Sequence, residues 1–336
     1  MRVAIIGAGL QARRRAPVVK EWPGAELVIV TSIDGRSAKV LAGSLGCASG
    51  TGWKDAVDRD DVDVVLVCTP PDSHAEISIA AMESGKDVLC EKPLTRTVEE
   101  AERLVAVAIK SGRILKCGFN HRHHPAIWQA KQVVDKGELG KPLFGRAVYG
   151  IGGRPGFDKE WRADPKIAFG GQLGEQGIHA VDLFRWFIGE FVEATGFTSA
   201  AYWPIAPLED NGFALYRTSA GVIASVHASF TQWRNTFSFE VYCEDGYVRV
   251  DGLGASYGTE TLRVGIKDYH GPFVETVTEF RGGDRSWHDE WKEFARAIES
   301  RTAPIGDGRD GLAAMKLVSA IYESSRTGKA VRLDPA

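Results

Sequence analysis

The chain has 336 residues, 41 Lys+Arg against 44 Asp+Glu for a formal net charge of −3, and 44% hydrophobic residues. That length fits about two domains of ~100–200 residues each, and so even a charge balance offers no basic field to a nucleic-acid backbone. No apolar run approaches the ~18 residues that cross a bilayer, and Met1 leads straight into strand-like Arg2–Ile6 without a secretory pattern.

The five cysteines, Cys47, Cys68, Cys90, Cys117 and Cys243, are scattered and never form C-x-x-C. That usage predicts free thiols in a reducing, cytoplasmic compartment, and neither disulfides nor structural zinc.

From Arg2 to Phe119, β-branched runs alternate with helical periodicity, which predicts a doubly wound parallel sheet with helices on both faces. Strands are expected at Val3–Ile6, Leu27–Thr31, Val64–Cys68, Val88–Cys90 and Ile114–Gly118. Helices are expected near Leu10–Val19, Arg36–Leu45, Ser73–Ser84 and Val98–Lys110. Pro17 removes a backbone donor and predicts a kink or an early end of the first helix.

After Arg122 the rhythm changes. A helix at Ala126–Lys136 precedes a strand at Pro142–Tyr149, a Gly/Pro-rich loop at Gly150–Gly156 and a helix at Gln176–Phe187. Extended runs follow near Val192–Tyr202, Phe213–Thr218, Val222–Phe230, Phe237–Cys243 and Tyr247–Val250. Breaks as short as Ser219–Gly221 and Glu244–Gly246 require antiparallel neighbours, since a parallel crossover needs about a dozen residues. Helices near His288–Glu299 and Gly308–Arg326 close the chain. The division is a dinucleotide-binding domain over 1–121 and an α+β domain with an open, mostly antiparallel sheet over 122–336, its last helices free to pack back on the first domain.

Gly7-Ala8-Gly9-Leu10-Gln11-Ala12 joins the first strand to the first helix as G-x-G-x-x-A. Gly7 permits the tight turn, Gly9 lets backbone approach a pyrophosphate, and the helix N-terminus attracts the anion. An acid that grips the ribose 2′-hydroxyl of NAD is expected about 20 residues on. Ser32 stands there, followed by Ile33, while Asp34 reads as the N-cap of the next helix. Ser32 with Arg36 suits a 2′-phosphate, so NADP is preferred to NAD. Cys68-Thr69-Pro70-Pro71-Asp72-Ser73-His74 follows the third of these strands on the edge where such sheets bind ligands; it either touches cofactor or, through His74, pins the helix start.

Glu91-Lys92-Pro93 closes the next strand at the same edge. A lysine there faces the cofactor side, although alone it reads equally as a solvated charge. In Gly170-Gly171-Gln172-Leu173-Gly174-Glu175-Gln176-Gly177-Ile178-His179-Ala180-Val181-Asp182, helical spacing puts Glu175, His179 and Asp182 on one face. A carboxylate one turn from a histidine fixes its tautomer and suits a general base, and it suits equally a buried, satisfied histidine. His121-x-His123-His124 lacks the carboxylates of a metal site, and no metal is expected.

Together these fragments resemble the Gfo/Idh/MocA oxidoreductase family over nearly the whole chain. The matching residues are Gly7 and Gly9, Thr69-Pro70-Pro71 with His74, Glu91-Lys92-Pro93, Gly118-Phe119-Asn120, Trp161-Arg162, and Gly170-Gly171 leading to Gly177-Ile178-His179 and Asp182. The resemblance implies a Rossmann domain plus an open-sheet domain, hydride transfer on sugars or cyclitols, and homodimers or homotetramers that pair the open sheets. It implies Lys92 and His179 as the catalytic centre, with an acid four residues before the histidine. That acid is Glu175 here, one methylene longer than the family's aspartate, so either Glu175 or Asp182 supports His179.

Cofactor contacts are expected from Gly7, Gly9, Leu10, Gln11, Ser32, Ile33, Arg36, Cys68, Thr69, Pro70, His74, Glu91, Lys92, Asn120, Trp161 and Arg162. Substrate contacts are expected from Lys92, Arg122, Tyr149, Trp161, Gln176, His179 and Trp233. Phe237-Ser238-Phe239 and Tyr242 are candidates for the oligomer face. An NAD-dependent glycoside hydrolase working through transient oxidation and elimination is the alternative activity.

Overall fold

The computed structural model describes residues 1–272 and 274–333. The chain forms two compact units, one of Met1–Asn120 with Trp287–Leu312, the other of His121–Ser286 with the residues from Ala313 onward.

The first unit holds a six-stranded parallel sheet built from β1 (Arg2–Ile6), β2 (Glu26–Thr31), β3 (Ala48–Gly50), β4 (Val64–Val67), β5 (Asp87–Cys90) and β6 (Leu115–Cys117), in the order β3-β2-β1-β4-β5-β6. β4 and β5 are buried along their whole length, as strands covered on both faces must be. Val3, Ile5, Val30, Leu66 and Leu89 share one core with Trp291 and Phe294, so the late helix α8 (Ser286–Ser300) completes this sheet's cover. The β3 edge strand, Ala-Ser-Gly, lies outside the sequence expectation because it carries no β-branched or aromatic residue.

Helix α1 (Leu10–Glu21) runs through Pro17 for another turn. The expected early end does not occur, and Val19 and Ala16 remain buried against the sheet. Helix α2 (Gly35–Leu45) starts on the Asp34 carboxylate, which accepts from the Arg36 N–H at 3.2 Å, and stops at left-handed Gly46.

The second unit carries a nine-stranded mixed sheet. Its strands are β7 (Pro142–Gly150), β8 (Phe191–Ser199), β9 (Asn211–Thr218), β10 (Ile223–Ser229), β11 (Thr236–Cys243), β12 (Gly246–Asp251), β13 (Glu260–Ile266), β14 (Val274–Phe280) and β15 (Val331–Arg332). The order is β14-β13-β12-β11-β7-β10-β9-β8-β15, with β7 parallel to β10 and all other pairs antiparallel. The sequence expectation stopped at β12, although Leu262-Arg263-Val264 alternates as a strand should.

Helix α7 (Ile178–Ile188) covers one face of this sheet, with Phe184 and Phe187 on Phe239 at 4.7 and 5.0 Å between ring centroids. The opposite face presents Phe197, Phe213, Leu215 and Ile223 to solvent. Phe237 and Phe239 are buried on the helix side, which corrects their expected place on the open face. The two-residue period of β11 puts Tyr242, the other candidate, on the open face, stacked between Phe144 and Tyr247 at 4.8 Å from each.

Candidate active site

Gly7 adopts φ +101°, and a Cβ there would stand 2.6 Å from the Cys68 carbonyl oxygen, so only glycine fits the turn. A Cβ at Gly9 would meet nothing within 4 Å. Gly9 caps α1 without a side-chain hydrogen bond, which leaves the first-turn N–H groups aimed outward for an anion. Leu10 and Ile33 are 58% and 98% exposed, apolar surface at the ends of β1 and β2 of the kind that an adenosine covers. The open cradle, the uncapped helix and these exposed side chains fit a dinucleotide.

Asp34 is occupied by α2: its carboxylate accepts from the Arg36 N–H and the Ser37 hydroxyl. The Ser37 bond holds the group below the usual carboxylate range. Ser32 is half-buried and Arg36 exposed, so no acid projects at the expected ribose position.

Beyond β5, the Lys92–Pro93 peptide is cis, and its flanks are anchored. Glu91 Oε1 accepts from Arg15 Nε of α1 at 2.6 Å. The Pro93 carbonyl faces His74 Nδ1 at 3.0 Å, and the Thr69 carbonyl faces His74 Nε2 at 2.8 Å. His74 is buried, and burial lowers its pKa. Both its nitrogens face protein carbonyls, so His74 pins the 69–73 loop to the lysine loop. Burial also pushes the Cys68 thiol far up.

In the second unit, Leu173–Gly177 is a π-helical turn leading into α7. The extra residue breaks the even α-helical spacing assumed for Glu175, His179 and Asp182. His179 is 2% exposed, and its ring stacks on His121 at 3.7 Å and 15°. The His121 Nε2 lies 3.0 Å from the Tyr149 hydroxyl.

Both Asp182 oxygens accept from Arg122, at 2.8 and 2.6 Å, and the guanidinium lies 5.3 Å from the Trp186 ring. Arg122 is buried in that pair. Glu175 accepts from Arg162 Nε at 2.9 Å, and Arg162 lies over Trp161 at 4.4 Å. The longer acid thus reaches the Trp161-Arg162 turn.

Tyr149 is 3% exposed, packed edge-on against Phe237 and Tyr257. Trp233 is 67% exposed and meets Tyr202 at 5.0 Å. Gln176 is partly exposed on the π turn, and Asn120 is buried. Among the described residues, no cluster of three metal-ligating side chains occurs.

Sequence reasoning missed two groups. His121 was weighed only as a metal ligand, and its run of histidines was the available signal. Arg15 gave no signal, because its partners lie 76 and 275 residues away. The glycine-rich turn also depends on Glu209, which accepts from the Gly171 and Leu173 N–H groups and from the Tyr322 hydroxyl at 2.8–2.9 Å.

The doubly wound sheet with its dinucleotide cradle is that of a nicotinamide-dependent oxidoreductase. The model of the oxidoreductase family with an NAD-binding Rossmann fold matches residues 1–119, and that of the GFO/IDH/MocA C-terminal domain matches 127–249. Inositol 2-dehydrogenase 3 of Saccharopolyspora erythraea is 30% identical over 348 residues, covering 98% of this chain and 95% of that protein. The NADP(+) D-xylose 1-dehydrogenase of Haloarcula marismortui is 27% identical over 345 residues, 99% of this chain and 93% of its own. A levoglucosan dehydrogenase in complex with NADH superposes with a TM-score of 0.90 at 24% identity, each chain covered completely, a likeness of fold. The chain belongs to the Gfo/Idh/MocA oxidoreductase family and is an NAD(P)-dependent oxidoreductase.

Proposed function

We propose that the protein oxidises one hydroxyl of a sugar or cyclitol ring, or reduces the corresponding ketone, with residues 1–121 carrying the cofactor and 122–336 the substrate. The observation that carries this reading is the Lys92 loop, anchored on both sides at the carboxyl edge of a sheet whose first helix offers uncapped N–H groups. The family relatives named above act on inositol and xylose, which supports a polyol ring.

Bound nicotinamide supplies the hydride acceptor or donor. His179, as neutral imidazole, takes the hydroxyl proton during oxidation and returns it during reduction. Lys92 hydrogen-bonds the same oxygen and stabilises the alkoxide charge that develops there. Glu175 orients Arg162 and Trp161, whose ring, with the exposed face of Trp233, suits the apolar face of a sugar. Gln176 supplies an amide for a further hydroxyl. Gly7, Gly9, Leu10, Gln11, Ile33, Thr69 and Pro70 line the dinucleotide.

Ser32 with exposed Arg36 favours NADP, because no carboxylate repels a 2′-phosphate. Five free thiols suit the cytoplasm. No described helix is long and apolar enough to cross a membrane. The open face of the second sheet suits a homodimer or homotetramer. The hydrolase alternative gains no observation of its own.

An absorbance screen with NADP and NAD over free sugars, inositols and sugar nucleotides tests the reading. Stoichiometric NAD(P)H is expected on at least one sugar or cyclitol, with NADP at least as effective as NAD, and Ser32→Asp is expected to shift preference towards NAD. Turnover of a glycoside without net absorbance change would sink the dehydrogenase reading, and tight NAD binding with no NADP binding would sink the cofactor preference.

A further inference from the structure

Arg15 sits in α1, six residues beyond Gly9, with its guanidinium between two carboxylates. Its Nε donates to Glu91 Oε1 and its Nη1 to Glu290 Oε2, both at 2.6 Å. The three side chains are 3%, 5% and 0% exposed, and the Trp287 ring lies 4.9 Å from the guanidinium. A Cβ at Gly118 would come within 2.9 Å of Arg15 Nη2 and 3.1 Å of Glu91 Oε2, so the end of β6 is trimmed to admit the cluster.

Such a cluster is a poor device for stability. Removing three charges from water costs several kcal/mol each, and apolar residues of similar volume commonly serve a core as well or better. Two carboxylates face the one guanidinium, and burial pushes the Glu290 carboxyl up against the pull of Arg15 and Lys116. What the cluster does supply is direction. A planar fork that meets two carboxylates at once fixes the relative placement of three elements. These are the helix that begins at the dinucleotide cradle, the loop that carries Lys92, and α8.

We propose that Arg15 is a positioning residue for Lys92: by gripping Glu91 it registers the lysine loop against α1, and Glu290 holds Arg15 in that pose. The proposal rests on the catalytic role given to Lys92 above. Arg15 touches no reacting atom, and its effect passes through the Glu91–Lys92 backbone.

The test is a double-mutant cycle on the full chain. Arg15→Lys keeps the charge and loses the fork, so it is expected to lower kcat by about 10- to 100-fold, with substrate KM and NADPH Kd by fluorescence titration within about 3-fold. In a Lys92→Ala background the same substitution is expected to change the residual rate by less than about 2-fold, since there is no lysine left to place. Glu290→Gln, which keeps shape and hydrogen bonding, guards against loss of folding and is expected to give a smaller kcat loss, about 3- to 10-fold, at unchanged Kd.

Equal losses from Arg15→Lys with and without Lys92 would overturn the proposal, as would wild-type kcat in Arg15→Lys and Glu290→Gln. Full activity in Lys92→Ala alone would instead overturn the catalytic role itself. That outcome is distinguishable from the others because it precedes the cycle.

Discussion

At the scale of single residues, the two groups proposed to carry the chemistry sit in fixed surroundings. His179 is buried against a parallel imidazole, and Lys92 lies between a glutamate held by arginine and a carbonyl held by histidine. If Lys92 stabilises the oxygen mainly in the transition state, Lys92→Ala should lower kcat by ~10²–10³ with cofactor affinity nearly intact. His179→Ala should lower it by ~10²–10⁴, and its residual rate should rise with pH as hydroxide replaces the missing base. Steady-state kinetics from pH 6 to 10 checks both, and full activity in both variants would remove the proposed centre. Lys92 and His179 stand out in the sequence because each sits beside turn chemistry, a proline or a glycine run. The sequence is silent on the partners of Arg122 and Tyr149, Asp182 and His121, which lie 60 and 28 residues away. Nothing local records such a pairing.

Elements were legible where period and punctuation agreed, as in β1, β4 and β5, and in the helices between the strands. They were lost where identity was neutral, as in β3, or where geometry departed from a regular period, as in the π turn at Leu173–Gly177. The glycines just before it show what holds it. A Cβ at Gly171 would run into the Glu209 backbone carbonyl, and one at Gly170 into the Tyr322 hydroxyl. Gly171→Ala is therefore expected to cost ~1–3 kcal/mol by overpacking and to lower kcat, because the displaced turn carries Glu175 and leads into His179. Gly43, exposed in α2 with nothing within 4 Å of its Cβ position, makes the contrast: Gly43→Ala should stabilise by ~0.5–1 kcal/mol. Urea melts of the two variants decide the matter, and equal effects would show that the glycines before the turn are not sterically required.

At the scale of the whole molecule, the second sheet leaves one face carrying Phe197, Phe213, Leu215 and Ile223 in solvent, interleaved with Arg146, which pairs with Glu240 at 2.6 Å. An apolar stripe of this kind, rimmed by charge, is what a self-complementary interface needs. Strand alternation made such a face foreseeable, but parity decides its membership, and Phe237 and Phe239 fell on the other side. His227 lies on the open face, half-buried and stacked on Phe213 at 4.1 Å, and desolvation lowers its pKa. A histidine lowered in the folded state binds fewer protons there than in the unfolded chain. Its contribution to stability is thus fully present above the ordinary value near ~6.5 and is lost as pH falls through the folded pKa. Pairing of the open faces would bury His227 further and push in the same direction, so acid should favour the smaller species. Light scattering at micromolar concentration is expected to give a dimer or tetramer at pH 8, a lower mean mass at pH 5.5, and a monomer for Phe213→Glu at either pH. A wild-type monomer at pH 8, or an oligomer indifferent to Phe213→Glu, would place the assembly elsewhere or remove it.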